Sequence, residues 1–212
     1  MAAAGCRLSS ERLSRPERAA LTRRALLDAA EQRFLSDGYH ATSLERIAVD
    51  AGYTKGAIFA AFESKAGLFL ALCDEIFARR LDQIRVLFER FPTADARLAA
   101  LAAQPVDPRN ERWLLLAIEF WTRSARNPAL LAEFARRYRR MHTGLAELAA
   151  QDPGPLGARQ WAIVVLALTN GLTLERLIDS DGIPHDLMAT TLALLDCAGT
   201  PHPEPRKSTE HS

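Results

Sequence analysis

The chain has 212 residues, 48% of them hydrophobic and 25% charged, and a formal net charge of +1. That length and balance can bury a sizeable core and exclude global disorder. Thirty-seven Ala and 31 Leu stand against 5 Val and 8 Ile, so good helix formers dominate, sheet formers are scarce, and a β-rich fold is excluded.

The first 17 residues read as a flexible basic arm. Arg7, Arg12, Arg15, Arg18, Arg23 and Arg24 outweigh Glu11 and Glu17 in the first 24 positions, which suits either a polyanion or a solvated terminus. A first helix is predicted to begin between Ser14 and Thr22. Ser14 with Glu17 and an early Pro16 make a plausible start. Its inward stripe is Leu26, Ala30 and Phe34, and Gly38 supplies a residue able to take positive φ at its end. Thr42 followed by Glu45 spells a capping box, so a second helix starts there with Leu44, Ile47, Ala48 and Ala51 buried, and Gly52 ends it. Thr54 is the next cap. A short third helix is predicted over 55–62 with Ile58 and Phe62 inward, and Ser64 caps a long one from 65 to about 90, stopped by Pro92. Two short helices joined by a tight glycine turn make a helix-turn-helix.

The remainder reads as a larger helical module. Helices are predicted over 94–104, 109–127, 128–150, 156–179 and 184–197, punctuated by Pro105, Pro108, Pro128, Pro153, Pro155 and Pro184. The helix over 156–179 is apolar nearly all round at its centre, which implies burial on more than one side. Pro201, Pro203 and Pro205 mark a disordered tail over 199–212. The fold class is therefore all-α: a small N-terminal helical domain over 18–65, with its helix-turn-helix at about 44–63, then a larger helical domain over 66–198.

The stretch 42–65, TSLERIAVDAGYTKGAIFAAFESK, resembles the helix-turn-helix of TetR-family transcriptional regulators, and the likeness runs over about 22–72. It is carried by Ala29-Ala30, Phe34, Gly38-Tyr39, Thr42, Ile47-Ala48, Ala51-Gly52, Thr54-Lys55-Gly56, Phe62 and Ser64-Lys65. The resemblance implies a small DNA-binding domain and a divergent C-terminal domain that dimerises and takes a small effector.

The residues themselves point the same way. With Ile58 and Phe62 inward, Thr54, Lys55, Ala57, Phe59, Ala60 and Ala61 cover the rest of the third helix. Thr54 and Lys55 can reach phosphate, while Gly56 and Ala57 leave room for bases. Thr42 and Lys65, beside the starts of the second and fourth helices, are expected phosphate anchors. Arg46 is either a phosphate or base-edge contact or a solvated charge. The chain departs from the family pattern at Phe59-Ala60-Ala61. Phe59 cannot donate to phosphate, and the alanines offer only apolar contact, for example to a thymine methyl. Direct readout is then weaker, or leans more on Lys55, Arg46 and the arm, unless Phe59 simply packs against sugar or the first helix.

In the C-terminal module, Trp113, Phe120, Trp121, Phe134, Tyr138, Met141 and Trp161 either line an effector cavity or form plain core. His142 and Asn170 are the polar candidates for orienting a small apolar or aromatic effector. Arg136-Arg137-Tyr138-Arg139-Arg140 reads as a solvated basic face around an inward Tyr138. The dimer is expected to form through a four-helix interface from Ala162, Leu166, Thr169, Thr173 and Leu177 on one helix and Leu187, Thr191, Leu194 and Leu195 on the last. Gly171 would allow close approach.

The function expected is a homodimeric repressor released from a palindromic double-stranded DNA operator by a small molecule. The alternative is a dimeric helical binding or scaffolding protein whose helix-turn-helix has weakened. No enzyme signature is present: no His-Glu-x-x-His, no Gly-x-Gly-x-x-Gly and no phosphate loop. Cys6, Cys73 and Cys197 suit neither a disulfide framework nor a metal knuckle, so no metal and no cofactor is expected. The longest apolar run, 161–168, is short of the roughly 20 residues of a membrane span. The chain reads as soluble and cytoplasmic.

Overall fold

The computed structural model describes residues 14–103, 107–150 and 156–197. The first 13 residues of the expected arm and the expected tail over 199–212 lie outside them. Two compact units, Met1–Leu72 and Cys73–Ser212, divide the chain. The boundary expected after residue 65 falls seven residues later, because Phe69 completes the ring cluster of the first unit: it meets Phe34 edge-on at 5.6 Å and Tyr39 at 5.3 Å.

In the first unit α1 spans Arg15–Ala41, α2 Leu44–Asp50, α3 Lys55–Ala61, and α4, Lys65–Arg90, begins there and continues into the second. α1 starts with the reciprocal box expected from Ser14. Glu17 Oε2 accepts from the Ser14 amide at 2.7 Å, and Ser14 Oγ accepts from the Glu17 amide. Gly38, at φ 82°, breaks the helical path of α1, and Gly52, at φ 74°, turns the chain between α2 and α3. Both sit where an L side chain would be strained. Leu26, Ala30, Phe34, Ile47, Ala48, Ile58, Leu68 and Phe69 are all fully or almost fully buried. At about 1.5–3 kcal/mol for each large apolar side chain buried, this small core is what holds α3 in place.

α2 is capped one residue later than Thr42. Ser43 Oγ accepts from the Arg46 amide at 3.2 Å. Thr42 is 2% exposed and its hydroxyl donates to the Gly38 carbonyl at 2.7 Å. The break at Gly38 frees that carbonyl from the α1 ladder, and a buried orphan acceptor has to be satisfied.

In the second unit α5 spans Ala94–Ala102, α6 Pro108–Ser124, α7 Pro128–Ala149, α8 Ala158–Ile178 and α9 Leu187–Cys197. Asp107 and Asn127 cap α6 and α7, each followed by the Pro that starts the helix. α7 and α8 pack along each other. Met141, Leu145 and Ala162 form the centre, with Phe77, Leu81, Ile84, Ala146, Trp161 and Leu166 against it. α7 passes close to α4 at Gly144: a Cβ there would lie 2.6 Å from Leu81 Cδ1. Among the described residues there are nine helices and no strand. By length and mean hydropathy, 1.4 over 18 residues, α8 alone among them is long and apolar enough to cross a bilayer.

Candidate nucleic-acid and effector sites

α3 is built as a short post with two anchors below and an open face above. Ile58 is 0% and Phe62 5% exposed. Thr54 caps the helix, its Oγ1 accepting from the Ala57 amide at 3.2 Å, which leaves its hydroxyl hydrogen to donate elsewhere. Thr54, Lys55, Gly56, Phe59 and Ala60 are exposed, and Ala57 and Ala61 are half-buried. A Cβ on Gly56 would meet nothing closer than Thr54 Oγ1 at 3.8 Å, so the fold itself does not demand a glycine there. Phe59 is 43% exposed. The Lys55 ammonium lies 5.6 Å from the centre of its ring. Arg46 is exposed on α2.

The two expected phosphate anchors do other work. Thr42 is turned inward, as described above. Lys65 Nζ donates to the carbonyls of Tyr39 at 2.8 Å, His40 at 3.1 Å and Thr42 at 2.8 Å, and sits 4.6 Å over the Tyr39 ring. An ammonium has three hydrogens, and here each faces a carbonyl at the frayed end of α1. Lys65 therefore holds the α1–α2 junction closed.

Three further residues make contacts within the first unit that sequence patterning missed. Arg23, counted above with the basic arm, donates from Nη1 to the Ala61 carbonyl at 3.2 Å, and its guanidinium stacks 4.4 Å over the Phe62 ring. It thereby satisfies the end of α3. Arg24 likewise is paired, with Asp28 at 3.1 Å. Arg33 ties α1 to α2 through Asp50, with Nε–Oδ2 at 2.7 Å, and also pairs with Asp37. Those bonds hold the Arg33 guanidinium charged more firmly than usual. The Asp37 carboxyl is pulled below its ordinary range by the Ser36 hydroxyl first and Arg33 second, with a small contribution from Arg46. Only the Arg33–Asp37 spacing, i to i+4, was visible in sequence. The third is Glu45, whose Oε1 lies 2.8 Å from Lys55 Nζ. That bond is the main reason its carboxyl sits below the usual range.

In the second unit Tyr138 is the hub of a ring cluster. Phe134 stacks on it at 6.3 Å, Phe77 and His142 meet it edge-on at 6.3 and 4.9 Å, and Phe120 meets Phe134 at 5.5 Å. Asn170 Nδ2 donates to the Tyr138 hydroxyl at 2.9 Å. Burial raises the Tyr138 hydroxyl above its ordinary pKa, against the opposing Asn170 bond. Burial also lowers His142, with the Arg159 charge adding to it. Of the nine candidate effector residues, Phe120, Phe134, Tyr138, His142 and Asn170 come together, and Phe77 joins them. Met141 and Trp161 instead belong to the core between α7 and α8. Trp113 is half-buried on α6. Trp121 is 54% exposed, because the inward stripe of α6 runs through Leu116, Phe120 and Ser124 and Trp121 lies a step round from it. The arginine run is partly engaged: Arg137 pairs with Asp74 at 3.0 Å and with Glu133 at 2.8 Å.

The surplus apolar face of α8 is rotated from the one expected. Ala162 is fully buried and Leu166 packs on the subunit's own core. Thr169 and Thr173 are half-buried and donate their hydroxyls to the Val165 and Thr169 carbonyls at 2.8 and 2.7 Å. The exposed stripe is instead Ile163, Ala167, Gly171, Leu174 and Ile178, at 43% exposure for Ile163 and 77% for Ile178. Nothing lies within 4 Å of a Cβ built on Gly171. Leu177, at the edge of the stripe, is 37% exposed. On α9, Leu194 is 66% exposed, while Leu187, Thr191 and Leu195 are half-buried.

The family model of bacterial regulatory proteins of the tetR family matches residues 26–72, and that of the C-terminal part of BetI-type transcriptional repressors matches 92–195. The HTH-type transcriptional repressor BepR of Brucella suis biovar 1 is 31% identical over 121 residues, which is 56% of this chain and 52% of BepR. The chain thus spans about half the length of the curated relatives it matches. A structure described as a TetR-family transcriptional regulator from Rhodococcus sp. superposes with TM-score 0.69 at 19% identity, covering 84% of this chain and 99% of that one. A transcriptional regulator from Saccharomonospora viridis in complex with choline gives 0.61 at 22% identity, over 82% and 94%.

Proposed function

The chain belongs to the tetR family of bacterial regulatory proteins, and on that footing we propose that it is a DNA-binding transcriptional repressor, acting as a homodimer on a palindromic operator. The observation that carries the DNA-binding reading is the α3 face: a short helix fixed by Ile58, Phe62 and Arg23, with Thr54, Lys55, Gly56, Phe59 and Ala60 all turned outward. Small residues and a cation at the start of such a helix suit entry into the major groove. Arg46 on α2 extends the same charge. With Phe59-Ala60-Ala61 offering no hydrogen bond, specificity leans on these few polar groups and on apolar contact with thymine methyls.

Dimerisation is supported by the rotated α8 stripe with Leu194 of α9. A row of exposed Ile, Ala, Gly, Leu and Ile is costly in water and self-complementary around a two-fold axis. A helix apolar enough for a bilayer is equally suited to a subunit interface, and we assign it the latter, with the protein in the cytoplasm. The effector site is proposed at the Tyr138 cluster, with Asn170 and His142 as its polar groups and an apolar or aromatic small molecule as occupant. The positive charge of Arg159 near His142 disfavours a cation there. No enzymatic role is proposed; the matched relatives are named as repressors.

The second reading, a scaffold with a weakened helix-turn-helix, draws on Ala60-Ala61. Against it stand the working Thr54 cap and the positive φ of Gly52, which keep α3 presented. Footprinting of purified protein on the DNA upstream of its own gene separates the two. A protected, two-fold symmetric site supports the repressor, and uniform weak binding supports the scaffold.

A further inference from the structure

We propose that Glu45 is an internal competitor for the DNA phosphate that Lys55 would hold, and so sets how tightly this protein grips DNA. The inference rests on the reading of the α3 face as the DNA surface. Lys55 is the only Lys or Arg within α3, whose sequence is KGAIFAA. Its ammonium is 2.8 Å from Glu45 Oε1, reaching across the glycine turn to the second residue of α2. Both side chains are open to solvent, at 67% and 47% exposure. The pair is therefore not a buried strut but a contact that a stronger or more abundant anion can displace. The other outward residues of the helix, Thr54, Gly56, Phe59 and Ala60, carry no charge, so Glu45 neutralises the whole of the charge that α3 brings to the groove.

Glu45 acts through counterions. A phosphate that meets a bare lysine releases about 0.9 of a condensed cation, and this release drives binding. When the lysine starts out paired to a carboxylate, the phosphate replaces one anion by another. The expelled Glu45 carboxylate then stands near the DNA backbone and recruits a cation of its own. The Lys55 contact gives no net release while Glu45 is ionised. Removing the Glu45 charge turns the same contact into a productive one.

The test uses the full chain, a duplex from the footprinted upstream region and a random 30-base-pair duplex, titrated from about 50 to 200 mM KCl. Glu45→Gln and Glu45→Ala should each tighten binding to both duplexes, by about three- to fivefold per half-site at the low-salt end. The slope of log affinity against log salt should steepen by about one per half-site. In the Glu45→Gln background, Lys55→Ala should return affinity and slope to wild-type values. In the wild-type background it should weaken binding and lower the slope, because Glu45 then recruits its cation with no lysine contact to offset it. Unchanged or weaker binding by both Glu45 variants, with urea midpoints intact, would overturn the proposal and show Glu45 to be holding Lys55 in its working position. No binding of either duplex by wild type or variants would sink the DNA-binding reading itself.

Discussion

Replacing Lys65 with Met keeps the aliphatic stem over Tyr39 and removes the ammonium, which separates its two candidate roles. If Lys65 closes the α1–α2 junction, three carbonyls lose a charged donor at 2.8–3.1 Å. The acceptors on Tyr39 and Thr42 are partly buried, and the one on His40 is exposed and can take water instead. Two partly buried acceptors left unmade, at about 1–3 kcal/mol each, give an expected loss of about 3 kcal/mol. With a urea dependence near 2 kcal/mol per molar, the midpoint of the first unit should fall by about 1.5 M. Lys65→Arg should recover only part, since a planar fork cannot aim at three converging carbonyls. Circular dichroism in urea reads the unfolding, and the salt slope of DNA binding reads the phosphate count. A stability loss below about 1 kcal/mol, with the salt slope reduced by about one per half-site, would refute the junction role and restore Lys65 as a phosphate anchor.

Four other outcomes follow from particular contacts. Phe59→Tyr should leave folding unchanged and DNA binding equal or tighter, because the ring is already open to solvent and a hydroxyl gains reach to phosphate; a loss beyond about tenfold would mean the ring edge is packed on the complex. Ile163→Glu should give folded monomers by sedimentation, while Leu166→Glu should unfold the second unit by charging its own core; the reverse pattern would return the interface to the Leu166 face. Gly144→Ala should destabilise by about 1 kcal/mol, as overpacking against Leu81 outweighs the gain in helix propensity, and Leu81→Ala should relieve it; strict additivity of the two would show that they do not press on each other. Burial first and the Arg159 charge second lower His142 below its ordinary pKa in the folded state, so its contribution to stability is present above the ordinary histidine pKa of about 6.5 and declines as pH falls below it; His142→Gln should flatten the urea-midpoint profile between about pH 7.5 and 5.5, and an unchanged profile would show that His142 does not couple folding to pH.

Local signals survived the passage from sequence to structure well. The Ser14–Glu17 box, the Gly52 turn, the Thr54 cap and the proline starts of α6 and α7 each depend on residues within four positions, which patterning can see. Thr42 and Ser43 are adjacent hydroxyls with the same capping chemistry. Only the orphaned Gly38 carbonyl decides between them. The carbonyl partners of Lys65 were not legible in sequence because they lie 23 to 26 positions away, and a lysine near a helix start looks the same whether it faces phosphate or carbonyl. The Glu45–Lys55 pair crosses a turn whose geometry no periodicity encodes. The α8 face came out rotated for a different reason. A helix apolar nearly all round carries little phase, so composition predicts two buried sides without saying which residues lie on which. The Tyr138 cluster was half legible: its α7 members share a helical stripe, whereas Phe77 comes from α4, distant in sequence.

Whether the α3 faces of a symmetric pair read DNA can be decided by a genomic map of fragments retained by the purified protein, wild type beside Ile163→Glu. The wild type should recover a small set of fragments sharing an inverted repeat, its half-sites spaced by about one helical turn or a multiple of it, and the monomeric variant should lose that set. Fragments with no shared motif, or the same motif retained by a proven monomer, would contradict readout by a symmetric pair.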